Sequence, residues 1–188
     1  MRPRRSGRTG KEKPLPDLER QVIAAWETNG RVTEFLIGHI PAPLWNAPLP
    51  GSPRRTVRSL AAHIHNARCS WIRTLGEEFG IVPPRRVDQR NVTQRELVGA
   101  LKKSARGIGA LLDLGCRRGG RIPASRAYVW RNLPLDVPHV LAYFVAHEAH
   151  HRGQIVMAAR LVDSRLPARV SGGLWQFRAL SRGSAALR

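Results

Sequence analysis

Four stretches of this chain carry apolar residues at intervals of three and four, bounded by proline and glycine. That spacing calls for helices buried on one side, because a half-buried strand would need strict alternation. The first stretch holds Leu18, Val22, Ala25, Val32, Phe35, Leu36 and Ile40 and ends before Pro41 and Pro43. The second, Val57, Leu60, Ala61, Ile64, Ala67, Trp71 and Leu75, begins behind Thr56 as its N-cap and stops at Gly76. The third opens on Thr93-Gln94-Arg95-Glu96, the spelling of a capping box, and runs through Leu97, Ala100, Leu101, Ile108, Leu111 and Leu112 to Gly115. The fourth spans Val137 to Val162, with an expected core stripe of Val140, Phe144, His147, His151, Ile155, Ala158 and Val162. Together they predict an all-α four-helix bundle. The three links are longer than tight bundle turns, which points to functional or crossover connections.

With 188 residues and 42% apolar content, the chain can bury one well-formed core. No run reaches the roughly 20 uncharged apolar residues of a spanning helix, so no membrane insertion is expected. Residues 1–14 hold six basic residues and one acid and lack apolar side chains to bury, so they are expected to form a flexible basic arm. Residues 15–180 then form a single bundle domain and 181–188 a basic tail. Ser171 to Arg188 is too broken for a fifth long helix, and Trp175 is expected to dock back onto the bundle. The basic N-terminus has no apolar segment behind it, so no export signal is expected. Cys69 and Cys116 lack CxxC spacing, which fits a reducing, cytoplasmic setting.

Lys and Arg number 32 against 13 Asp and Glu, a formal net charge of +19. Such a balance suits a polyanion partner, and weak nucleic-acid contact through the arm is one expectation. The excess is scattered and almost wholly arginine, which a GC-rich coding bias would also produce.

Five of the seven histidines fall in two groups, His63 with His65 and His147 with His150 and His151. Four residues advance a helix by about 400°, so His147 and His151 share a face one turn apart and can grip one cation, while His150 lies about 100° from His151. Two adjacent inward imidazoles each need a partner, and a shared divalent ion supplies both; the alternative is a pair of satisfied core histidines. A third ligand is expected from a facing helix, where His63 neighbours the apolar positions Leu60 and Ala67 while His65 sits about 200° away from it. His39 is the fallback. Three imidazoles would leave a coordination position open, as catalytic sites do, and suit zinc or nickel. His147-Glu148-Ala149-His150-His151 also spells HExxH, but no histidine or glutamate follows it to complete a zinc-peptidase set. Glu148 is expected to pair with Arg152, or else to orient a ligand or act as a base. Gln154 is either a partner for a ligand imidazole or a surface amide. A close approach would explain Gly153 in mid-helix. Trp71, Trp130 and Trp175 are candidates to wall a pocket, and Cys69 reads as a small buried hydrophobe.

The segments LAAHIHNARCSWI and YFVAHEAHHRGQIVMAARL resemble the DinB/YfiT-like family of metal-dependent four-helix-bundle proteins, over residues 15 to 165. The resemblance implies that one histidine of the second helix joins the HxxxH pair of the fourth around a divalent metal, at His63, His147 and His151. It also implies a thiol-dependent transferase or isomerase, or a hydrolase, acting on a small-molecule substrate with a low-molecular-weight thiol as a second cofactor. A stress-related polyanion-binding bundle with structural histidines is the competing expectation, and a homodimer is compatible with either.

Overall fold

Local signals set most of the boundaries. In the computed structural model, which describes residues 17–162 and 165–183, Asp17 caps α1 (Leu18–Gly38) by accepting from the Glu19 amide. Thr56 accepts from the Ser59 amide to open α3 (Val57–Gly76), and Thr93 and Glu96 form the reciprocal box that opens α4 (Gln94–Arg117). Helix α5 (Val137–Leu161) carries Pro138 in its first turn, where a missing N–H costs nothing. The link after α1 contains the short α2 (Ala42–Trp45) and a two-stranded antiparallel hairpin, β1 (Pro48–Leu49) and β2 (Ser52–Thr56). Among the described residues after α5 come the short α6 (Ala168–Gly173) and α7 (Phe177–Ser181), the latter packed against α1. The expected N-terminal arm and most of the basic tail lie outside the described residues. No described helix is long and apolar enough to cross a membrane.

Helix α1 packs against α4 and α5, and α3 packs against the same two. Consecutive α1 and α3 are therefore diagonal, as are α4 and α5, and two of the three long links span these diagonals. Gly115 permits the meeting of α4 with the start of α5. A Cβ there would fall 2.5 Å from Val137 Cγ2 and 2.9 Å from Ile122 Cγ1. Gly115→Ala is expected to cost about 1–3 kcal/mol through this overpacking, read as a lowered urea midpoint. An unchanged midpoint would show that the helix ends yield freely.

The core is divided. One apolar cluster gathers Leu36, Leu60, Ile64, Leu101 and Ile155, and the other Trp26, Ile72, Leu75, Ile108 and Phe144. Between them lies a polar layer to which every long helix contributes: Asn29 and Thr33 from α1, His65 and Arg68 from α3, Ser104 from α4, and Glu148 from α5, all buried.

Three expectations are corrected here. Trp175 is 81% exposed and does not dock onto the bundle. A Cβ at Gly153 would meet open space, so no close approach accounts for it. The α5 stripe runs through Glu148 rather than His147, which is half-buried, and Val162 lies at the surface. Glu148 can occupy the inward position because Arg68 compensates its charge.

Candidate metal centre

The polar layer fixes the register of α3 against α5. Glu148, fully buried, accepts from Arg68 Nε at 2.6 Å and Nη2 at 2.7 Å, from Asn29 Nδ2 at 2.9 Å and from the Thr33 hydroxyl at 2.8 Å. Arg68 also donates to the Leu101 carbonyl and lies over the Trp26 ring. The expected partner Arg152 also pairs with Glu148, more loosely at 3.7 Å, and donates its hydrogen bond to Thr33 Oγ1. The principal ion pair is thus with Arg68, across the bundle. A carboxylate with both oxygens so engaged is poorly placed to activate water, which removes the general base that the HExxH peptidase reading needs.

Beside Glu148, on the face of α5 that carries the preceding His147 and the following His151, three imidazoles meet between α5 and α3. His63, His147 and His151 each offer a ring nitrogen within 4.8 Å of the others. His147 Nε2 and His151 Nε2 are 3.2 Å apart, and the His63 ring centroid lies 5.5 Å from that of His147 and 4.8 Å from that of His151. His151 Nδ1 lies 2.8 Å from Gln154 Oε1. An amide oxygen only accepts, so Nδ1 carries the proton and Nε2 keeps its lone pair toward His147. Gln154 thereby orients a ring of the trio. Tyr143 stacks on His147 at 18° and 5.9 Å, and the Trp71 indole N–H donates to the Tyr143 hydroxyl.

Burial, then the neighbouring imidazoles, hold His147 down to about 4. Burial likewise lowers His63, where His151, Arg55 and Arg86 add to the effect, and His151, where His150 and Arg55 do so. All three rings are therefore neutral near pH 7, the form that binds metals.

The remaining histidines stand elsewhere. His65, expected to be the more outward of its pair, is fully buried: its Nε2 donates to the Arg85 carbonyl and its Nδ1 accepts from Ser104. Its side of α3 is covered by α4 and by the segment after α3, where Asn66 exchanges two hydrogen bonds with Val87. His39 caps the end of α1 on the Phe35 carbonyl, and His150 is exposed. Cys69 is buried, as expected.

A profile of the DinB family matches residues 13–163. The chain belongs to the DinB family. The match spans all four long helices of this DinB protein, including His63, His147 and His151. No curated protein and no solved structure matches the chain.

Proposed function

We propose that His63, His147 and His151 hold one divalent cation, zinc or nickel, and that this DinB protein is a cytoplasmic metal-dependent enzyme acting on a small molecule. The observation that carries the reading is the convergence of three neutral imidazole nitrogens within 4.8 Å. Tetrahedral zinc with Zn–N bonds of 2.0–2.1 Å sets its ligands roughly 3.3 Å apart, close to the spacing of the two Nε2 atoms. Three protein ligands leave a position for a reactant, and the bound ion would lower the pKa of a thiol or water held there. Thiol-dependent transfer or isomerisation, or hydrolysis, is the corresponding reaction class. The chain's own contributions are positional. Gln154 fixes the His151 tautomer, Tyr143 backs His147, and the Arg68–Glu148 pair holds α3 and α5 in register.

The test is zinc titration of metal-free protein. His147→Ala and His151→Ala are expected to abolish tight binding, whereas exposed His150→Ala leaves it unchanged. Gln154→Ala should weaken zinc binding about 10–100-fold, as expected for loss of an orienting partner. Equal affinity in all variants would favour the competing reading, a polyanion-binding bundle with structural histidines. In that case DNA retention should weaken by about 0.9 log units per log salt for each phosphate contacted.

A further inference from the structure

Beside the histidine trio lies a pocket of about 440 Å³, a size typical of small-molecule sites. His63 and His147 form one end, and Trp71, Tyr128, Trp130 and Tyr143 supply aromatic wall. Among the described residues, no aspartate, glutamate, lysine or arginine lines it.

We propose that this pocket takes a flat, apolar, uncharged group joined to an anionic donor head that reaches His63, His147 and His151. The inference rests on the reading of those histidines as a metal site and adds the class of ligand. An anionic body would be desolvated against ring faces with no counter-ion in the wall, and the attraction of those faces for a cationic body is opposed by the divalent ion beside them. A flat body gains offset or edge-to-face packing with the rings. Trp130 stands edge-on to Trp71 at 5.9 Å and is still 69% exposed, with Val129 beside it 79% exposed. A ligand beneath this pair would remove apolar surface that the free protein leaves in water.

The head is assigned from charge. Three imidazole ligands are neutral, so a divalent ion held by His63, His147 and His151 keeps its full charge at this end of the pocket and favours an anionic donor in its open position. Tyr143 accepts from Trp71 through its hydroxyl oxygen and retains a proton to give to an acceptor on the ligand. A cation caged by the same rings would stand against the charge of that divalent ion.

The experiment uses the full chain loaded with zinc and two probes with one chelating head, benzohydroxamate and acetohydroxamate. Benzohydroxamate is expected to bind at least about tenfold tighter, the value of burying one ring. Trp130→Ala, at an exposed rim position, should erase most of that preference and leave acetohydroxamate unaffected. Benzamidine, flat but cationic, should not compete. Equal affinities for the two hydroxamates, or benzamidine competing as strongly, would overturn the proposal while leaving the metal reading intact. Failure of the protein to hold zinc would overturn that reading and the proposal with it.

Discussion

Glu148→Ala should destabilise the metal-free protein by about 3–5 kcal/mol, because it leaves the Arg68 guanidinium charged, buried and without its counter-ion. Asn29 and Thr33 lose their acceptor in the same step. Whole domains are stable by only about 5–15 kcal/mol, so the variant should be marginal at ambient temperature. An exposed pair sets the contrast: Arg117–Asp113 has side chains 75% and 47% exposed, and Asp113→Ala should cost no more than about 1 kcal/mol. Urea midpoints measure both. Adding Arg68→Met to Glu148→Ala removes the orphaned charge and should recover part of the loss, which a double-mutant cycle resolves. A Glu148→Ala midpoint as mild as that of Asp113→Ala would mean that water or rearrangement satisfies Arg68, and that the polar layer does not fix α3 against α5.

What the sequence disclosed follows from how far each signal reaches along the chain. The starts of α3 and α4 were legible because Thr56 and Thr93 cap amides three residues away. The His147–His151 pair was legible because helix geometry alone stacks residues four apart. Its place beside Leu60 and Ala67 favoured His63 as the third member, the family resemblance named the same residue, and the structure brings it to that pair. The Arg68–Glu148 pair was missed because its members stand 80 residues apart, whereas Arg152, one turn from Glu148, offered a local partner that periodicity could see. His65 was misjudged for a related reason. Angular position on α3 separates it from His63, but only the packing of α4 and the anchored segment around Arg85 buries that side as well. The aromatic pocket was half-legible. Trp71 and Trp130 line it, but nothing local in the sequence identified Tyr128 and Tyr143 as their companions or placed Trp175 outside.

The second large effect concerns the cross-helix ligand. His63 is the member of the trio that α3 supplies, and it is half-buried at the groove, so His63→Ala should leave the metal-free fold nearly as stable as wild type. Zinc should then separate the two proteins. At about 1,000 times its dissociation constant, zinc stabilises the wild type by about 4 kcal/mol, because it binds the assembled site and not the unfolded chain. His63→Ala retains only a neighbouring pair on α5 and should gain little at the same concentration. Melting curves with and without zinc read the difference directly. An equal gain in both proteins would remove His63 from the site and leave the α5 pair to bind alone.

The most direct test of the metal reading is elemental analysis of tag-free protein purified without metal-affinity resin, with wild type and His147→Ala side by side. The account predicts about one zinc or nickel ion per wild-type chain and close to none in the variant, since a three-ligand site loses one of its ligands and the α5 pair is broken. Equal metal content in both, or no metal in the wild type together with no rise in melting temperature when zinc or nickel is added, would contradict it and make the three histidines structural.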